Sequence, residues 1–287
     1  YKNRKVVYFD KDAYNPYHAE PNNIDGVRTM YTMGSLIFGR LELGKYLEKM
    51  TDTQMHVLTR VVPFHTSSVS PRPVDAFEGK KHPQIYDMKL SEDWHQLILY
   101  NSKLKPGQHW PNSWEYHNKK DYDKFEPVAQ TISVDLSAPT DSAGLALDKD
   151  AEYYLYDFWN KKFIAKTRGS QTLTQTLRPH EARVIAIHKA QPNPQFISTN
   201  RHVLGGYVDM KKCQWDPVKN QITGISSVVA NDPYKVIIAC NGFKPVSAHG
   251  DSAKAEIKII DPENGLAELT LETLKTADTK WVVKFEK

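Results

Sequence analysis

Three carboxylates and a nearby cation carry the chemistry that this sequence could do. Asp10 closes a β-branched and aromatic run at residues 5–10 (KVVYFD), Asp12 follows two positions on, and Asp25 lies in NNIDGVR just ahead of Arg28. Paired carboxylates can open an acetal when they stand about 5 Å apart: one attacks as the anion while the other, protonated, serves the leaving oxygen. Arg28 would bind substrate beside them. Asp25 has a second reading, as the cap of a helix that starts near Val27. The Asp10-x-Asp12 spacing also invites calcium. The EF-hand loop, however, needs an acidic or amide residue at its fifth position and glycine at its sixth, and Tyr14 and Asn15 stand there.

A second candidate is QHWPNSWEYH at residues 108–117, where Trp110, Trp114 and Tyr116 alternate with polar groups. An exposed aromatic ledge holds sugar rings by stacking, with amide and carboxylate neighbours taking the hydroxyls. The other reading places these rings at a sandwich edge, since indole and phenol groups dominate cores and interfaces in general. The histidines show no metal-ligand spacing, no G-x-S-x-G marks a nucleophile elbow, and no glycine loop is built to cradle phosphate. No cofactor is expected. Gly205-Gly206 reads as a bulge in a strand-like run.

The elements that must position these groups fall into two styles. Apolar residues at Met30, Met33, Ile37, Leu41, Leu47 and Met50 are mostly three or four apart, the mark of one buried helix face, interrupted by Gly34, Gly39 and Gly44. Thr51 and Gln54 form a capping box, which predicts a second helix running to about Arg60. After a Ser/Pro-rich connector at residues 67–73 the pattern changes to short strands separated by turns. Strands are expected at residues 96–100, 131–136, 152–158, 172–177 and 183–187, with a second set at 203–210, 221–229, 234–239, 255–260, 266–272 and 280–285. That rhythm predicts antiparallel sandwiches. Gln191-Pro-Asn-Pro194 is a stiff linker, marking either a domain boundary or a crossing between halves of one sandwich.

Length and charge narrow the function. The 287 residues leave room for two domains and a remnant of a third, and the net charge of +4 is spread along the chain without a basic block. Nucleic acid is therefore not an expected partner. No apolar run approaches the ~20 residues of a membrane span. The chain opens on Tyr1 without a signal-peptide pattern, so the start is read as removed. The compartment stays open, with an extracytoplasmic one (periplasmic or secreted) preferred. Cys213 and Cys240 are read as buried free thiols, with one disulfide as the alternative.

The run YYLYDFW and the later LRPHEARVIAIH give a pattern of Tyr153, Asp157, Phe158, Trp159, then Leu177, Pro179 and Glu181. This resembles the C-terminal β-domains of glycoside hydrolases of the melibiase-like α-galactosidase type. The run from Ile197 to His202 with Gly205-Gly-Tyr207 resembles their interdomain junction, and Trp215, Gly224 and Asp232-Pro-Tyr234 their final sandwich. The resemblance covers most of the chain from about Arg28. It implies an α+β, mainly β chain: the tail of a (β/α)8 barrel at residues 1–65, an antiparallel β-sandwich at 74–190, and a second, Ig-like sandwich at 195–287. It also implies a retaining enzyme for terminal α-linked sugars, with the acid/base near Asp25, the nucleophile on an upstream barrel strand, and the upstream barrel and a carbohydrate substrate as partners. One βα unit cannot close a barrel, so this segment alone should lack a complete active site. The competing expectation is a non-catalytic carbohydrate-binding or cell-surface module.

Overall fold

A computed structural model of the protein describes residues 23–37, 47–65, 68–76, 83–108 and 125–287. The strand expected at residues 5–10, the loop with Asp10 and Asp12, and the aromatic residues Trp110, Trp114 and Tyr116 lie outside them.

Helix α1 spans Ile24–Leu36 and buries Val27, Tyr31 and Leu36 along one side. Its N-cap is Asn23, whose Oδ1 accepts the Gly26 amide at 3.0 Å; Asp25, one of the two roles considered for it being this cap, sits instead in the first turn. A 3₁₀ turn, Leu47–Lys49, precedes α2 at Asp52–Thr59. Here the capping box is complete: Thr51 Oγ1 accepts the Gln54 amide at 3.2 Å and Gln54 Oε1 accepts the Thr51 amide at 3.0 Å. Two otherwise orphaned N–H groups are thereby satisfied, which lets so short a helix start.

Eight strands follow: β1 (Arg72–Pro73), β2 (Ile85–Ser91), β3 (Trp94–Tyr100), β4 (Gln130–Asp135), β5 (Glu152–Asp157), β6 (Lys162–Arg168), β7 (Thr172–Leu177) and β8 (Ala182–Lys189). Six of them make an antiparallel sheet in the order β1-β2-β3-β8-β5-β6, and β4 pairs with β7 in a separate ribbon. One face of the sheet, with Leu97, Leu99, Leu155, Ile185 and Ile187, packs on Ile132, Val134, Leu173 and Leu177 of the ribbon. The opposite face, with Met88, Ile98 and Val184, packs on Val27, Tyr31, Val57 and Leu58 of the two helices. The central strands β3 and β8 are covered on both sides. They accordingly read as continuous apolar runs rather than alternating ones, and each large aliphatic side chain buried there contributes roughly 2 kcal/mol.

The remaining strands are β9 (Gln195–Thr199), β10 (Met210–Asp216), β11 (Gln221–Val228), β12 (Tyr234–Ala239), β13 (Lys244–Gly250), β14 (Lys254–Asp261), β15 (Leu266–Glu272) and β16 (Ala277–Glu286). They form two antiparallel four-stranded sheets, β10-β11-β16-β13 and β14-β15-β12-β9. Ile222, Trp281, Val283 and Phe285 of the first meet Val236, Ile238, Leu269 and Leu271 of the second. Along β11 every second residue is buried, the alternation of a sheet with one covered face.

Residues 203–209 differ from expectation. They form turns, and the strand begins only at Met210, with Gly205 and Gly206 at φ of 57° and 116°. A Cβ on Gly206 would lie 2.4 Å from the Phe196 ring, so the glycine permits a close approach in a conformation that other residues avoid. The turn lowers Val203 and Leu204, both fully buried, into the core beneath the helices. The pair is therefore a tight turn and not a bulge.

Candidate functional site

Asp25 and Arg28, the two sequence candidates that lie among the described residues, come together at the start of α1, on the turn between β7 and β8. Arg178, in that turn, donates Nε to Asp25 Oδ2 at 2.6 Å and Nη2 to Oδ1 at 2.8 Å. Both carboxylate oxygens are thus taken. Arg28 stands 4.0 Å from the same carboxylate and 5.4 Å over the Trp159 ring. Burial lowers the Arg28 pKa; Asp25 opposes this, and the like charge of Arg178 adds to it. The Asp25 partner pushes the Arg178 guanidinium upward.

The residues that carry the family resemblance build the platform under this pair. Asp157 at the end of β5 and Glu181 just before β8 are each 2% exposed. Arg183 bridges them, with Nε 3.2 Å from Asp157 and Nη2 2.8 Å from Glu181. Asn160 donates Nδ2 to Asp157 at 2.8 Å and its backbone amide to the same carboxylate at 3.1 Å. Glu181 also accepts the Arg178 amide at 2.7 Å. Burial raises the Asp157 pKa, while the Asn160 bonds and Arg183 act against that rise. Trp159 then donates its indole N–H to Thr32 on α1 at 2.8 Å, and Thr29 donates its hydroxyl to the His180 carbonyl. His180 is left-handed at φ 62°, which turns that carbonyl toward the helix. Chemically the cluster is a clamp that fixes a helix to one end of the first sheet's inner strands β5 and β8.

A second concavity of about 650 Å3 lies at the other side of the first sheet, lined among others by Ser70, Arg72, Asp87, Asp93, His95 and Lys189. His95 Nδ1 is 2.9 Å from Asp87 Oδ1, with both residues buried, and Arg72 approaches the other Asp87 oxygen at 3.5 Å. Ser70 Oγ is buried without a hydrogen-bond partner among the described residues. No sequence motif announces this grouping: Ser70, Asp87 and His95 follow no catalytic spacing, and the β2–β3 hairpin register brings the last two to neighbouring positions. Among the described residues no group of three or more His, Cys, Asp and Glu side chains is disposed to hold a metal ion, and no helix is long and apolar enough to cross a membrane. Cys213 and Cys240 are free thiols, and burial raises the pKa of both.

No protein-family model and no curated protein sequence matches the chain. Among solved structures, it is similar to a provisionally assigned α-N-acetylgalactosaminidase from Bacillus halodurans C-125, at 13% identity and a TM-score of 0.40, over 58% of this chain and 32% of that one. It is also similar to α-galactosidase I from Mortierella vinacea, at 14% identity and a TM-score of 0.38, over 57% of this chain and 36% of that one. The chain spans about a third of the length of each of these enzymes.

Proposed function

We propose that residues 1–287 form the C-terminal part of a retaining glycoside hydrolase acting on terminal α-linked sugars, in the manner of an α-galactosidase. In this reading residues 1–65 finish a (β/α)8 barrel, and the β-layers at 74–190 and 195–287 brace it. The observation that supports it most is the clamp. The residues that carry the sequence resemblance, Asp157, Trp159 and Glu181, are the ones that tie α1 to the first sheet, directly or through Arg183 and Arg178. A β-layer built to grip a preceding helix is what a brace for a barrel's last helices requires.

Within this proposal Asp25 docks the helix rather than serving as acid/base. A carboxylate whose two oxygens both accept from one guanidinium is held in that pair and fixed against the β7–β8 turn. The acid/base role passes to a carboxylate outside the described residues, with Asp10 and Asp12 as the sequence candidates and Trp110, Trp114 and Tyr116 as the candidate sugar ledge. The test is an assay of the full protein and of residues 1–287 against aryl α- and β-glycosides. Release of the aryl group by the full protein alone, from α-glycosides, supports the proposal. Retention of both on a galactose affinity gel without any cleavage would replace it with a carbohydrate-binding module.

A further inference from the structure

Beside the clamp, between the start of α1 and the side of α2, lies a small pocket of about 120 Å3 lined among others by Arg28, His56, Arg60, Trp159, Lys161 and Asn200. Ile24 opens α1, and Thr53, His56, Val57 and Arg60 run along one side of α2 from its first turn to its C-cap. We propose that this pocket is a binding site for a small tetrahedral oxyanion, sulfate or phosphate, either free or as an ester on a saccharide. The inference does not depend on the glycosidase reading.

Charge balance is the first argument. Arg60, 5% exposed, holds Asp232 with two bonds of 2.6 and 2.7 Å, and Arg201 reaches the same carboxylate at 3.3 Å. Two guanidiniums therefore share one carboxylate. Lys161 has no carboxylate partner among the described residues, and the Arg28 Nε is buried without a hydrogen-bond partner. On the clamp side, Asp25, Asp157 and Glu181 are already engaged by Arg178 and Arg183. The pocket is left lined by Arg28, His56, Arg60 and Lys161 with no carboxylate among its lining residues. An anion in the pocket would offset that charge through charge-assisted hydrogen bonds.

The second argument is that His56 registers the field. Its pKa is lowered by burial first, then by Arg60 and Lys161; Asp232 opposes them and Arg28 adds to them. The third is backbone geometry. Lys161 is held left-handed at φ 50°, unusual for a lysine, in the turn from Phe158 to Lys161 between β5 and β6, and it lines the pocket. An oxyanion there would be held by the fork of Arg28 and the ammonium of Lys161, with Arg60 supplying charge from behind its own ion pair. The volume suits a small ion with a few waters, not a sugar ring, so any saccharide would lie outside with only its ester group inserted.

The test is calorimetric titration of the full protein with sodium sulfate against sodium chloride at matched ionic strength, with the His56 ring signal followed by NMR. Lys161→Asn is the main variant, because asparagine tolerates the left-handed backbone, and Lys161→Arg is the rescue. The expected result is saturable sulfate binding that raises the His56 pKa, weakens at least tenfold in Lys161→Asn and returns in Lys161→Arg. Galactose 6-sulfate binding more tightly than sulfate, with galactose itself indifferent to residue 161, would assign the anion to a saccharide ester. Equal affinity for the two would assign a free ion. Sulfate binding no better than chloride, or unchanged in Lys161→Asn, overturns the proposal.

Discussion

Asp25 shows how one residue's role is decided by its partners. From sequence it is either a candidate acid or a helix cap; in the fold Asn23 caps and Asp25 pairs with Arg178. The side chain of Arg178 is 54% exposed, so the pair belongs to the weaker class of ion pairs. Asp25→Asn and Arg178→Ala should each lower stability by about 1 kcal/mol, and the double variant should cost no more than the worse single one. The kcat of the full protein on an aryl α-glycoside should change less than threefold. A loss of a hundredfold at unchanged stability would return Asp25 to the acid/base role. Asp209 offers a second test. It is fully buried, accepts from Thr199 at 2.7 Å and Tyr234 at 2.8 Å, and burial pushes its carboxyl up to about 6. The native state thus holds this proton more tightly than the unfolded chain, so the contribution is complete below about pH 4 and is lost as pH rises through about 6. His188 and His202, pushed down by burial to about 3 and about 4, act the opposite way in that window, so only the difference from Asp209→Asn isolates the carboxyl. Urea unfolding should show the variant gaining up to roughly 3 kcal/mol on wild type between pH 4 and pH 7.5. A pH-independent difference would contradict the assignment. No sequence signal marked Asp209, because its burial follows from the turn at Gly205-Gly206.

At the scale of elements, legibility followed composition more than position in the sheet. Strands β7, β12 and β15 run over the residues that the sequence pattern predicts, and β3, β8, β11 and β16 differ only at their ends. These are strands whose large aliphatic or aromatic residues face a core. By contrast β1, β2, β6, β9, β10 and β13 were not read at all; all but β2 lie at the edge of their sheets, whereas the edge strand β14 was read. Edge strands carry charge and proline to block further pairing, as in KFIAKTR of β6 and KPVSAHG of β13, and that composition conceals them. The helices were readable where chemistry is local: the Thr51–Gln54 box marked the start of α2 correctly. The end of α1 at Leu36 was not readable, because the apolar spacing continues past it. Gly224 gives the sharpest test at this scale. On β11 it faces Trp281 of β16, and a Cβ there would meet the indole at 2.1 Å. Trp281 is fully buried and donates to Ser226 at 2.9 Å, so it cannot step aside. Gly224→Ala should cost about 1–3 kcal/mol by overpacking, seen as a lower urea midpoint. Wild-type stability in that variant would contradict the packing described.

For the whole molecule, the proposal is that the two helices and the four sheets brace chemistry completed elsewhere in the same protein. The helices cover one face of the first sheet, the β4–β7 ribbon covers the other, and Tyr154, Tyr156, Ile197, Ile237 and Leu266 join that sheet to the second pair of sheets. Mainly β architecture with antiparallel sheets was legible from turn spacing and from the resemblance. The barrel tail was not tested, since the strand at residues 5–10 lies outside the described residues. The clamp was legible as a motif but not as a clamp, because its partners on α1 are over a hundred residues away in sequence. The most direct measurement is hydrolysis of an aryl α-galactoside by the full protein, with the anomeric configuration of the first-formed sugar followed by NMR. The account predicts release of the α-anomer, with residues 1–287 alone inactive. Release of the β-anomer, or no hydrolysis of any α-glycoside by the full protein, would contradict it.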